Sequence, residues 1–242
     1  MSFGYNEFKF ALTGAKLHRT EQLLNSFHRD TDPFPSGWVE SIYYDTLDNR
    51  CFHECMDGSR DKTKFRIRRY DDTGWSQAQV KFKNVFGVKK WKCDLKEKLS
   101  GETLPAWSHL FGDDWIESET SDPIAKPIVA RLQTSFGYLV PVLYVKYMRK
   151  RYRVMDYRVN LDTAILVRGR PEHGAHPAHE MVIPFAVMEM KTKQSRPYLP
   201  VFGALDVQLS SVSKYALGRR LLYRDSDVLN KYLPVPAFSE SM

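Results

Sequence analysis

Little in this chain speaks for a disulfide scaffold, a membrane helix or a repeat array. Its three cysteines, Cys51, Cys55 and Cys93, are too few and too scattered for a disulfide framework. Cys51 and Cys55 lack the spacing of a metal knuckle or redox pair and are expected as small buried side chains. No stretch approaches the ~20 apolar residues of a membrane helix. The most apolar run, Phe136 to Val145, is broken by Pro141. Met1 to Phe10 holds acid and base but no apolar signal core, so no secretion signal is expected. Internal repeats, low-complexity tracts and a Walker-type glycine loop are absent, and no nucleophile stands beside a base. His173, His176 and His179 fall in a Gly/Pro-rich stretch with no Cys or helical partner motif, which points to an exposed loop and against a zinc site.

The remaining composition describes a folded protein. A hydrophobic share of 43% argues against intrinsic disorder, and 242 residues suffice for a substantial core. We expect a single domain over residues 1–242, soluble and cytoplasmic. With 36 Lys+Arg against 29 Asp+Glu the formal charge is +7, which suits an anionic partner without naming one.

Alternation of polar and apolar residues predicts strands at 5–12, 38–45, 62–70, 75–83, 88–95, 142–153, 157–167 and 181–191. Residues 16–28 read as an amphipathic helix with Leu17, Leu23, Leu24 and Phe27 on its apolar side. Residues 101–136 read as mostly helical, 168–179 as a loop, and the region around 213–223 as a helix. About eight strands in mainly hairpin order favour an α+β antiparallel β-barrel with helices packed outside over a parallel sheet.

The phase of the charges carries the functional signal. In Lys64-Phe65-Arg66-Ile67-Arg68 the cations share one strand face and the apolar residues the other. Lys81 and Lys83, Lys90 and Lys92, and Tyr147, Arg149 and Arg151 repeat the pattern, Glu189 and Lys191 flank Met190, and Lys9 sits between Phe8 and Phe10. A solvated outer face explains any one strand, but outer faces normally mix both signs, since like charges opposite one another destabilise a sheet. A cationic face turned into a barrel, with the apolar face outward against helices, makes a basic tunnel suited to phosphate chains. Glu189 among these cations either holds Mg²⁺ or Mn²⁺ or forms a salt bridge with Lys191 or another cation.

These residues, taken in order, resemble the vacuolar transporter chaperone domain, the polyphosphate-polymerase branch of the triphosphate tunnel metalloenzymes. The resemblance runs through Glu7-Phe8-Lys9-Phe10, Ser41-Ile42-Tyr43-Tyr44-Asp45-Thr46, Lys64 to Tyr70, Val80-Lys81-Phe82-Lys83, Val88-Lys89-Lys90, Tyr147-Met148-Arg149, Arg158-Val159-Asn160-Leu161-Asp162, Met188-Glu189-Met190-Lys191 and Ser213-Lys214-Tyr215. It implies an eight-stranded antiparallel tunnel in which ATP donates its terminal phosphate to a growing polyphosphate chain. It implies phosphate-binding, catalytic cations at Lys9, Arg66, Arg68, Lys81, Lys90, Arg149, Arg158, Lys191 and Lys214. Tyr147 and Ser213 match positions that also touch phosphate, and Lys83, on the face of Lys81, is expected with them. Glu189 matches the carboxylate that holds Mn²⁺ or Mg²⁺, with Glu7 as its companion.

Two departures accompany the resemblance. The wider superfamily opens with two carboxylates and a lysine at alternate positions, and here Tyr5 takes the first, as is usual in the polymerase branch. Gln79 stands where a Glu-Leu-Lys strand has its carboxylate, which either weakens metal binding or removes a salt bridge. The chain carries neither a phosphate-sensing domain nor membrane segments, so membrane coupling would need a separate partner. A metal-dependent triphosphatase on the same fold is the alternative. A non-catalytic polyanion binder is a third reading. Nucleic acid is disfavoured, because Lys64 to Tyr70 lacks the Gly-aromatic pattern of an RNA-recognition strand and the aromatics alternate away from the cations.

Overall fold

The structure, a computed structural model, describes residues 6–27, 32–70, 76–95, 125–169, 180–195 and 207–223. The predicted segments at 101–124 and at His173, His176 and His179 lie outside the described residues. The chain runs β1 (Asn6–Leu12), α1 (Gly14–Phe27), β2 (Ser36–Thr46), α2 (Arg50–Met56), β3 (Lys62–Tyr70), β4 (Ser76–Asn84) and β5 (Gly87–Leu95). It continues with α3 (Ala125–Phe136), β6 (Leu139–Val154), β7 (Tyr157–Gly169), β8 (Glu180–Val182), β9 (Ala186–Thr192), β10 (Leu209–Ser210) and α4 (Lys214–Leu222).

The strands pair antiparallel in the order β10-β1-β9-β7-β6-β2-β3-β4-β5, with β8 beside β7. Eight of them are long, which matches the alternation count. The strand expected at 181–191 is split into β8 and β9 by Ile183-Pro184-Phe185, since Pro184 has no N–H to donate to a ladder. No ladder joins the edge strands β10 and β5 among the described residues, so the sheet curls without a hydrogen-bonded seam. Side chains meet across the hollow instead. Lys81 on β4 reaches Glu7 on β1 at 3.3 Å, although five strands separate them along the sheet.

The outer face is apolar and backs onto helices, as the charge phase requires. Phe65 and Ile67 are buried on the face opposite Arg66 and Arg68, and the Phe65 ring meets Phe136 of α3 at 5.1 Å, edge to face. Leu24 of α1 packs with Phe10, Leu12, Val159, Leu161 and Met190. Phe27, expected on the buried side of α1, is half exposed. Cys51 is buried and Cys55 partly so. No helix among the described residues is long and apolar enough to cross a membrane.

One part of the hollow is packed instead of open. On β6, Leu143, Val145 and Tyr147 alternate in phase with Arg149, and α4 lies over this apolar end. Gly218 permits that approach, because a Cβ there would come within 3.0 Å of Leu143 Cδ2 and Val167 Cγ1. Asp45 at the end of β2 ties α4 to α2. Its Oδ1 accepts from the Cys51 N–H at 2.8 Å, its Oδ2 from the Phe52 N–H at 3.0 Å and from the Tyr215 hydroxyl.

Candidate functional site

The sequence-predicted site residues come together on the concave face of the sheet in three groups. The first joins β1, β4 and β9. Register places Lys9 opposite Glu189 and Glu7 opposite Lys191. Glu7 lies 3.2 Å from Lys9, 3.3 Å from Lys81 and 4.0 Å from Lys191, while Glu189 lies 2.8 Å from Lys191. Glu189 thus makes the salt bridge that the sequence left open, and two carboxylates flank one ammonium. Burial and the neighbouring Glu189 both raise the Glu7 carboxyl, but Lys9, Lys81 and Lys191 outweigh them and bring it down to about 2. Burial likewise opposes ionisation of Glu189, and Lys191, Lys9 and Arg149 hold it well below the usual carboxylate range.

The second group centres on Asp162, whose carboxylate is fully buried. Arg149 donates to it through Nε at 2.7 Å and Nη2 at 2.8 Å, and Lys214 at the start of α4 donates at 2.6 Å. The Tyr147 ring lies under both cations, 5.2 Å from the Arg149 guanidinium carbon and 4.8 Å from Lys214 Nζ. Ser213 caps α4 by accepting from the Ala216 N–H and also accepts from Lys64 Nζ at 2.8 Å.

The third group is Arg66 and Arg68, whose partners are an amide, a serine hydroxyl and two phenols. Arg66 donates to Gln79 Oε1 at 3.0 Å and to the Tyr43 hydroxyl at 3.3 Å. Arg68 donates to Ser41 Oγ at 3.1 Å and to the Tyr147 hydroxyl at 3.0 Å. No carboxylate is within ion-pair distance of either guanidinium among the described residues. These side chains are therefore fixed in place with no carboxylate to neutralise them among the described residues. The field they make is felt by buried Tyr43. Burial raises its phenol, yet Arg66, Arg68 and Lys64 outweigh that and bring it to about 7.

Register compounds the positive field. Lys64, Lys81 and Lys90 stand directly opposite one another across β3, β4 and β5, as do Lys62 and Lys83 one row on. Like charges so placed destabilise an empty sheet. Desolvation, followed by Lys9 and Arg66, lowers the Lys81 ammonium to about 8 against the pull of Glu7. The Lys90 ammonium is pushed down first by desolvation and then by Arg66, Arg68 and Lys92, an effect tempered by its exposure to solvent. Lys83 and Arg158 are exposed, in phase with the cluster but at its margin.

Charge alternation alone did not single out Asp162, Asp94, Gln77 or Tyr43. Asp162 had a signal, since it stands in phase with Arg158 and Asn160. Asp94 and Gln77 likewise alternate in phase with Lys92 and Gln79.

The depressed carboxyls give a pH dependence. A carboxylate whose folded pKa lies below its ordinary 4.5 contributes stability that is complete above that value and is lost as pH falls toward about 2. Urea unfolding midpoints are therefore expected to fall steeply between about pH 5 and pH 3, and Glu7→Gln should flatten that slope. An unchanged slope in the variant would show that Glu7 is not held by its lysines.

A family model described as VTC domain matches residues 7–223. A sequence comparison with curated proteins finds no match. Among solved structures, a putative adenylyl cyclase from Hippeastrum, described as having a dominant triphosphatase activity, shares 16% identity at a TM-score of 0.54, covering 89% of this chain and 95% of that one. A putative adenylate cyclase from Bacillus halodurans shares 11% identity at a TM-score of 0.45, covering 97% of this chain and 93% of that one. The first likeness shows that this chain shares the fold of that protein.

Proposed function

We propose that this chain, which belongs to the VTC domain family, is a metal-dependent polyphosphate polymerase that transfers the terminal phosphate of ATP to a growing polyphosphate chain inside its basic tunnel. The observation that carries the reading is the uncharged anchoring of Arg66 and Arg68 on a face where cations outnumber carboxylates. Two guanidiniums held by Gln79, Tyr43, Ser41 and Tyr147 keep their full charge for phosphate oxygens and need little reorganisation to receive them. Lys9, Lys81, Lys90, Arg149, Arg158, Lys191 and Lys214 extend the basic wall beyond what one triphosphate can use, which suits a second phosphate chain in line with the bond being broken.

The donor set fits a divalent ion of the Mg²⁺ or Mn²⁺ kind. Among the described residues no three His, Cys, Asp or Glu side chains gather into a full protein cage. Glu189 and Glu7, already flanked by Lys9, Lys81 and Lys191, would hold an ion that arrives with phosphate oxygens as its remaining ligands. Bound there, the ion would neutralise charge on the phosphate chain. The protein's own groups do the positioning. Arg66 and Arg68 orient the chain, and the apolar floor of Leu143, Val145 and Val167 under α4 helps exclude water from that end.

A triphosphatase on the same fold is the second reading, favoured by the activity described for the Hippeastrum protein. ATP labelled on its terminal phosphate separates the two. The polymerase yields ADP and labelled polymer of distributed length, and short polyphosphate primers shorten any lag. Label found only as free orthophosphate from the earliest time points, with primers inhibiting, would leave the triphosphatase.

A further inference from the structure

Gln79 is fully buried, and Gln77 nearly so, on the concave face of β4. Their amides form one directed chain. Gln77 Nε2 donates to Asp94 Oδ1 at 2.7 Å, Gln79 Nε2 donates to Gln77 Oε1 at 2.8 Å, and Arg66 Nε donates to Gln79 Oε1 at 3.0 Å. The direction is dictated from both ends, since the Arg66 guanidinium can only donate and so takes the Gln79 carbonyl. An ionised carboxylate can only accept, so Gln77 must turn its NH₂ toward Asp94 and its carbonyl toward Gln79. Gln79 must then present its own carbonyl to Arg66. The polarity of a carboxylate on β5 reaches the guanidinium on β3 through two neutral amides, and its negative charge stays behind.

We propose that Asp94, Gln77 and Gln79 form a positioning relay that holds Arg66 by an uncharged acceptor, so that the whole guanidinium charge is available to a phosphate-chain ligand. The inference rests on the tunnel being the phosphate site and names what tunes it. A carboxylate at position 79 would form a charge-assisted pair with Arg66 and compete with phosphate for it. The glutamine therefore supplies the alignment of such a pair without its neutralisation. The relay acts through Arg66 and does not itself touch the ligand.

The relay and simple electrostatics predict opposite signs for Asp94→Asn. Removing a negative charge from the wall should, by Coulomb's law alone, tighten an anion. Under the relay, the neutral carbonyl introduced at position 94 accepts more weakly from Gln77 than a carboxylate does, so Gln77 and Gln79 are held less firmly and Gln79 aligns Arg66 less well. The test is calorimetric titration of tripolyphosphate into the wild type, Asp94→Asn, Asp94→Glu and Gln79→Glu, with ligand-free melting curves to confirm folding. Asp94→Asn should bind about 3- to 10-fold more weakly, the loss of roughly one aligned hydrogen bond. Asp94→Glu, which restores an obligate acceptor, should return most of the affinity. Gln79→Glu should lose about 10- to 100-fold through its pair with Arg66. Equal or tighter binding by folded Asp94→Asn, or undiminished binding by Gln79→Glu, would overturn the relay while leaving the tunnel reading intact. Failure of the wild type to bind overturns the tunnel reading itself and the relay with it.

Discussion

Replacing Arg66 and Arg68 together by alanine should abolish the thermal stabilisation that tripolyphosphate confers, while the ligand-free protein stays folded. A ligand at 100 times its dissociation constant stabilises the native state by about 2.7 kcal/mol. For a domain of this size that corresponds to roughly 5–10 °C in Tm. The double variant should show no shift at the same concentration. Its ligand-free cost is that of four hydrogen bonds to Gln79, Tyr43, Ser41 and Tyr147, about 2–6 kcal/mol together, with no ion pair broken among the described residues. Each neutral bond is worth about 0.5–1.5 kcal/mol, against relief of repulsion with Lys64 and Lys90. A ligand-free double variant that unfolds would mean that the two arginines hold the sheet together and are not there for an anion.

Glu189→Gln is expected to keep the fold and lose about 10²–10³ in rate, the effect of one missing group that stabilises charge at a reaction centre. The side chain is buried and its shape is conserved by the change, so the loss is one of charge. Its pair with Lys191 at 2.8 Å complicates the reading, since a broken ion pair alone could lower stability. Metal dependence separates the roles. If Glu189 helps hold a divalent ion, the variant should need a higher Mn²⁺ concentration for half-maximal rate, and melting without metal should reveal the ion-pair cost by itself. Wild-type activity and unchanged metal dependence would reduce Glu189 to a salt-bridge partner.

Much of the fold is legible where one physical signal dominates. The alternation from Thr63 to Arg68 shows which strand face carries the cations, and the strand read at Lys62–Tyr70 matches β3 to the residue although Arg69 interrupts the pattern. Signals fail where distant contacts decide. Helix α2 has only seven residues and no periodicity of its own; its first N–H groups are met by Thr46 and Asp45, which lie at the end of the preceding strand. The packed floor beneath α4 could not be foreseen from β6 either, since Leu143 and Val145 simply continue the inward phase of Arg149. What covers them arrives much later in the chain, brought close by Gly218. The same holds for Gln79. A neutral residue in an otherwise charged pattern reads as a lost carboxylate until Gln77 and Asp94 are seen to orient it.

On the proposed function the concave face of the sheet is one site for phosphate chains. Calorimetric titration of ATP and of tripolyphosphate, each across a salt series, tests it most directly. Both should bind, affinity should fall steeply with added salt as expected of a multiply charged ligand on a basic wall, and Arg66→Ala with Arg68→Ala should abolish the binding of each. Salt-independent affinity, or undiminished affinity in the double variant, would contradict it.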